Sequence, residues 1–253
     1  MQRLPLPGLL AMALLTACTS TDNSSHMTTS NATGGVEIHP VFHASLVLRT
    51  KAHVIYVDPY DGAARFAAYP APDLVLITHI HPDHLDTTTL AGLDLRKARF
   101  IVPQAVMDQL PERYKGQAQV MANGTHADLA GIGIDAVPMY NLPGPHEEFH
   151  VKGHGNGYVL SVDGQRIYIS GDTEDIPEMR ALKDIDVAFV CMNQPFTMTV
   201  DQAADAVLAF KPKVVYPYHY RNQGGALSDV ARFQQLVNAK DAHITVRQED
   251  WYR

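Results

Sequence analysis

The chain has 253 residues, of which 46% are hydrophobic and 19% charged, and a formal charge of −7. That length supports a sizeable core and that composition excludes a disordered or fibrous chain, while the acidic balance argues against a surface that binds nucleic acid. Cys18 and Cys191 are the only cysteines, too few for a disulfide framework.

The first residues read as a targeting segment. Arg3 supplies a basic start, Leu4 to Leu15 is apolar but too short to span a bilayer, and Leu15-Thr16-Ala17-Cys18 follows. That tetrapeptide resembles a bacterial lipobox, in which the cysteine becomes the lipidated first residue after cleavage. The expectation is therefore a lipoprotein signal peptide over residues 1–17 and an exported bacterial lipoprotein, held at a cell-envelope membrane through Cys18. An ordinary secretory signal with a chance cysteine is the alternative. Residues 18–35 are rich in Ser, Thr, Asn and Gly and read as a flexible tether, with a mean span of about 20–25 Å.

Residues 36–253 carry the pattern of one folded domain. Residues 46–48 and 54–57 read as strands, with His43 in a turn-like stretch and Asp58-Pro59 closing the second strand. Asp58 reads as a carboxylate that orients a ligand or loop amides. Residues 73–77 form a short unbroken apolar run, a buried strand. It leads into Thr78-His79-Ile80-His81-Pro82-Asp83-His84-Leu85-Asp86. No packing requirement puts three histidines and two carboxylates so close together. Side chains alternate in extended chain, so His79 and His81 can face one metal ion. Asp83, displaced by the turn at Pro82, can face another together with His84. Imidazole and carboxylate suit Zn²⁺ or a similar divalent ion.

A short helix from residue 87, a strand over 99–102, a helix over 104–110 and an alternating strand over 132–139 follow. His146, His150 and His154 are spaced by four, but Pro143, Pro145, Gly153 and Gly155 oppose a continuous helix. One of the three should complete the shell begun by His79 and His81. Residues 157–162 and 166–170, joined by Asp163-Gly164, form a hairpin by turn chemistry. The hairpin delivers Gly171-Asp172-Thr173. Residues 186–192 read as a strand with Cys191 as an inert core residue. A loop over 193–198 leads to Thr199-Val200-Asp201-Gln202, which has capping-box form. A strand over 213–216, a helix capped by Ser228-Asp229 and a strand over 243–246 end the chain. His126, in the Gly124-Thr125-His126 turn, reads as a surface or turn histidine, and His53 and His243 as ordinary strand histidines. Strand-rich halves separated by helices with one apolar face predict an α/β fold, a four-layer αββα sandwich.

The His79-x-His81-x-Asp83-His84 stretch resembles the signature of the metallo-β-lactamase-fold hydrolases, over roughly residues 36–219. His43-Ala44-Ser45, Asp58-Pro59, Ser170-Gly171-Asp172-Thr173 and Pro217-Tyr218-His219-Tyr220 are similar to the branch that includes L-ascorbate-6-phosphate lactonase and N-acylphosphatidylethanolamine phospholipase D. The resemblance implies two divalent metal ions, Zn²⁺ by default, with Mn²⁺ or Fe²⁺ also compatible. It implies His79, His81 and one further histidine at the first ion, and Asp83, His84 and His219 at the second. Asp172 would bridge the two. Phe149-His150-Val151-Lys152-Gly153 looks like the stretch that carries the further histidine in relatives, which favours His150 over His146 and His154. Other branches place that ligand where this chain has Tyr140-Asn141.

The implied activity is hydrolysis of a small-molecule ester, lactone or phosphodiester by a metal-bridging hydroxide. Asp83 and Asp172 would sit at the reacting centre and His43 at its rim. His43, Tyr140, Tyr218 and Tyr220 are the candidate proton donors, with preference for Tyr220 beside His219. A β-lactamase is a weaker reading, because β-lactamases of this fold generally lack the bridging aspartate. A nuclease would want a basic nucleic-acid module, and none is visible. A metal-binding envelope lipoprotein without turnover is the alternative from a different class.

Overall fold

In the computed structural model the described residues are 1, 2, 4, 31–33 and 35–252. The expected cleavage site, Cys18 and most of the tether lie outside them. Two seven-stranded sheets face each other. The first contains β1 (Asn31–Thr33), β2 (Val36–Phe42), β3 (Ser45–Arg49), β4 (Val54–Val57), β5 (Leu74–Leu76), β6 (Arg99–Val102) and β7 (Ala118–Val120). The second contains β8 (His126–Leu129), β9 (Ile132–Met139), β10 (Gly155–Val162), β11 (Gln165–Ile169), β12 (Val187–Cys191), β13 (Val214–Tyr218) and β14 (Thr245–Val246). In each sheet the spatial order follows the chain. In each, three antiparallel pairings give way to three parallel ones, at β4–β5 and at β11–β12.

The central strands are buried on both faces, which is why they read as unbroken apolar runs. Leu46, Leu48, Ile55, Val57, Leu74 and Leu76 share one cluster with Ile134, Ala136, Tyr158 and Leu160 of the opposite sheet. Their neighbours Val47, Tyr56, Val75 and Ile77 point the other way. There they meet α1 (Thr87–Gly92), α2 (Gln104–Gln109) and α3 (Glu112–Lys115) through Leu90, Val106 and Tyr114. On the far side of the second sheet lie α4 (Pro177–Arg180), α5 (Val200–Phe210) and α6 (Val230–Lys240), with Met179, Val207 and Phe233 buried in the main cluster. Each fully buried aliphatic or aromatic side chain contributes about 1.5–3 kcal/mol. The four layers are thus helices, sheet, sheet, helices.

Local chemistry fixes the element boundaries. Asp163 and Gly164 both have positive φ (49° and 74°) between Val162 and Gln165, the two-residue turn that suits the strand twist. Thr199 caps α5 with the reciprocal Gln202 contact. The short strands β1, β7 and β8 carry no clean alternation and are absent from the sequence reading. His126 opens β8 rather than sitting in a turn, with Nδ1 2.6 Å from Asp135 Oδ1. The last strand is shorter than expected and leaves His243 exposed before it. Cys191 is buried, and burial pushes its thiol up to about 12, as befits an inert core residue. Among the described residues no helix is long and apolar enough to cross a membrane.

Candidate metal centre

Chain ends of the parallel strands converge on one edge of the sandwich, where open α/β sheets present their ligand sites. Asp58 follows β4, His79 to His84 follow β5, Asp172 follows β11, Asn193 follows β12 and His219 follows β13. The β2–β3 turn adds His43, and the long connection from β9 to β10 adds Asn141 and His150. His43, Asp58 and His219 all have left-handed backbone, with φ of 59°, 43° and 45°. Gly171 does too, at 60°, and a Cβ there would stand 2.6 Å from Met139 Sδ, so a side chain at this position would be strained and would displace Met139.

Candidate ligand atoms form three groups, within each of which the atoms lie within 4.8 Å of one another: His79, His81 and His150; His43, Asp83 and His219; and His79, His84 and Asp172. His79 Nε2 lies 3.1 Å from His81 Nδ1. Asp172 faces both sides of the centre. Its Oδ1 lies 3.5 Å from His84 Nε2, and its Oδ2 lies 3.6 Å from His150 Nε2 and 3.2 Å from His219 Nε2. Asp83 Oδ2 lies 3.4 Å from His219 Nε2 and 3.1 Å from His43 Nε2.

The outward nitrogens are tied down. His84 Nδ1 lies 2.7 Å from Asp58 Oδ2 and His150 Nδ1 lies 2.6 Å from Asn141 Oδ1. Thr78 N donates to Asp58 Oδ1 at 2.8 Å, and Thr78 Oγ1 donates to Asp58 Oδ2 at 2.7 Å. That leaves Thr78 Oγ1 to accept from His79 Nδ1 at 3.0 Å. With these protons outward, the inward nitrogens carry lone pairs. His84 Nε2, His150 Nε2 and Asp172 Oδ1 are buried with no hydrogen-bond partner among the described residues. Leaving such atoms unsatisfied is costly, and a divalent cation would satisfy them together. The donor set therefore fits the metal chemistry expected from it.

The electrostatics of the bare site divide the rings into two kinds. Burial holds the His79, His81 and His150 rings below their usual pKa, His150 down to about 4. At His84 burial also opposes the charge, but Asp172, Asp83 and Asp58 outweigh it and hold the ring well above its usual value. At His219 burial is likewise outweighed, chiefly by Asp172. Burial opposes charge on Asp83 and Asp172 as well, yet His84 and His219 keep both carboxyls below the usual range.

All seven expected ligands, His79, His81, Asp83, His84, His150, Asp172 and His219, come together. Of the alternatives, His146 stacks on Phe149 with centroids 5.4 Å apart and His154 is exposed. Tyr220 does not reach the centre. Its hydroxyl donates to the Glu249 carbonyl at 3.1 Å, because the left-handed turn at His219 directs the following side chain away. Tyr140 bonds Glu178 at 2.9 Å, and Tyr218 is packed beside Phe189 and Trp251. A tyrosine that does stand at the rim is Tyr252, its hydroxyl 3.2 Å from His43 Nδ1. Nothing in the sequence signals a pairing across so many residues. Asn141 and Asn193 were equally hidden, although both fall in stretches flanking the expected ligands.

Residues 37–219 match the family described as the beta-lactamase superfamily domain. The chain belongs to that superfamily and is a metal-dependent hydrolase. A protein of Thermococcus onnurineus named a metal-dependent hydrolase is 31% identical over 76% of this chain and 88% of its own. A crystal structure from Parabacteroides distasonis ATCC 8503, provisionally named a metal-dependent hydrolase, is 37% identical with a TM-score of 0.76, covering 86% of this chain and 94% of that one. Igni18, a metallo hydrolase of Ignicoccus hospitalis, is 25% identical with a TM-score of 0.71, covering 86% and 96%.

Proposed function

We propose that the centre holds two divalent cations and hydrolyses an ester, lactone or phosphodiester of a small molecule. One observation carries this reading: His84 Nε2 and His150 Nε2, on rings fixed from behind, and Asp172 Oδ1 are all buried without hydrogen-bond partners among the described residues. His79, His81 and His150 would hold one cation and Asp83, His84 and His219 the other, with Asp172 available to both. Zn²⁺ is the first candidate by donor type. Such ions supply an acidified water and polarise the bond to be cleaved.

The protein's own residues do the rest. Asp58 fixes His84 directly and His79 through Thr78. Asn141 fixes His150. His43, between Asp83 Oδ2 and the Tyr252 hydroxyl, is placed to pass a proton to the leaving group from Nε2. Burial lowers its pKa, with Asp83 opposing, which suits a group that gives its proton up readily.

Elemental analysis of the purified protein, paired with an ester, lactone and phosphodiester panel, tests this reading. The expected result is about two divalent ions per chain and turnover that chelation removes. Bound metal with no turnover would support the non-catalytic alternative, and efficient turnover of a chromogenic β-lactam would favour the β-lactamase reading. We further propose that lipidation of Cys18 holds this domain at a membrane of the cell envelope. Cys18→Ala should then move the full chain from the membrane to the soluble fraction.

A further inference from the structure

The cleft over the centre has a volume of about 280 Å³ and is lined by His81, Pro82, Asp83, Phe149, His150, Asp172, Asn193 and Phe196. It has two unlike walls. One carries the candidate ligands. The other is Pro82 with the half-buried rings of Phe149 and Phe196, in edge contact with centroids 5.1 Å apart. No lysine or arginine lines it among the described residues. Arg221 and Arg65, near the His43 rim, lie over the Tyr252 and Phe42 rings at 4.0 and 3.8 Å, outside that lining. A site built to grip a substrate phosphate would normally offer arginine or lysine.

The apolar wall is fixed to the centre. Asn141, whose Oδ1 meets His150, also donates through Nδ2 to the Phe196 carbonyl at 2.9 Å. Phe196 N donates to the Asn193 carbonyl at 3.0 Å. The Asn193 side chain is oriented as well, since Oδ1 accepts from Thr197 Oγ1 at 2.6 Å. Its Nδ2 is thereby aimed inward, 3.4 Å from both Asp172 Oδ2 and His219 Nε2. The cleft thus sets a neutral donor and an apolar wall beside the same group of candidate ligands.

We infer that the cleft takes an uncharged carboxylic ester or lactone with an apolar acyl group. That group packs on Phe149, Phe196 and Pro82, and the Asn193 amide donates to the carbonyl oxygen. This rests on the hydrolase reading above and narrows it to two of its three substrate classes, excluding the phosphodiester. The volume fits. A cavity of about 150 Å³ accepts one benzene, so this cleft holds a ring or short acyl chain together with the reacting group. In the reaction the oxygen of water bonds to the acyl carbon and the bond to the alkoxy oxygen breaks. The water proton passes to that oxygen, giving an acid and an alcohol.

The test uses the Zn²⁺-loaded protein with 4-nitrophenyl acetate, 4-nitrophenyl hexanoate and bis(4-nitrophenyl) phosphate. Hexanoate should exceed acetate in kcat/KM by about tenfold, as partial burial of the added methylenes requires, and the phosphodiester should be slowest. Phe149→Ala and Phe196→Ala should bring the hexanoate-to-acetate ratio close to one, and Phe196→Leu should keep most of it. Calorimetry should show free hexanoate binding more tightly than acetate, with the difference lost in Phe196→Ala. Equal turnover of the two esters, a ratio that survives both alanine variants, or a faster phosphodiester would overturn the inference. A metal-loaded protein that cleaves nothing, yet still prefers hexanoate to acetate in binding, would defeat the hydrolase reading while upholding the apolar subsite.

Discussion

The two halves of the sandwich share one plan of strand order and direction, yet they supply the centre in opposite ways. The first half places His79, His81, Asp83 and His84 on a single loop after β5. The second half collects His150, Asp172 and His219 from three separate stretches, the β9–β10 connection and the ends of β11 and β13. A local cluster depends on one loop conformation, whereas a dispersed one depends on the register of a whole sheet. Damage to the first half should therefore act through its supporting contacts, and damage to the second through each ligand separately.

The largest expected effect breaks the link between the halves. Asp172→Ala removes the one carboxylate whose oxygens face both groups, and kcat/KM should fall by about a thousandfold. His243→Ala, at an exposed position, should stay within about twofold. Comparable losses in steady-state assays would show that the centre is not where the two halves meet.

Supporting contacts come next. Asp58→Ala strips the first half of the group that holds His84, Thr78 and, through Thr78, His79. Metal affinity should drop by about 10–100-fold. Asn141→Ala frees only His150 and should fall at the lower end of that range. Competition titration with a chromogenic chelator measures both, and the order of the two is the sharp part.

The legibility of the chain follows the same division. The loop from His79 to His84 was readable because its ligands are neighbours in sequence, and the Asp163-Gly164 turn and the Thr199 cap because turn and cap chemistry is local. Choosing His150 among three histidines required resemblance, and only the fold shows why: Asn141 Oδ1 fixes it while His146 lies against Phe149. Tyr252 was invisible, since its partner His43 belongs to the other end of the domain. Tyr220 looked right because it follows His219, but adjacency along a chain does not survive a left-handed turn. The edge strands β7 and β8 were missed because short strands with exposed positions carry little periodic signal.

A smaller effect concerns acidity. In metal-stripped protein, His84 and His219 have raised pKa, so the stability they confer is complete below their ordinary 6.5 and is lost as pH rises through the folded values. His79, His81 and His150 have lowered pKa, so their contribution is lost as pH falls below 6.5, toward about 4 for His150. Denaturant midpoints should therefore peak near neutrality, and Zn²⁺ should lift the alkaline limb most. A monotonic profile would mean that the two classes of ring are not distinct.

The smallest expected difference compares the helix caps. Asp86 caps α1 through Thr88 N and Thr89 N, and Thr199 caps α5 through Gln202 N. Alanine at either position should cost about 1 kcal/mol, or about 2–4 °C in Tm for a chain of this size. Only Asp86→Ala should also loosen metal binding, since that cap closes the ligand loop.

The left-handed backbone at His43, Asp58 and His219 has a consequence for selection. Each such residue stores about 1–3 kcal/mol of strain, so glycine at these three positions would relax the chain while emptying it of chemistry. Directed evolution screened for heat resistance alone should drift toward such inert survivors. A library built on this scaffold has to be sorted for turnover in every round.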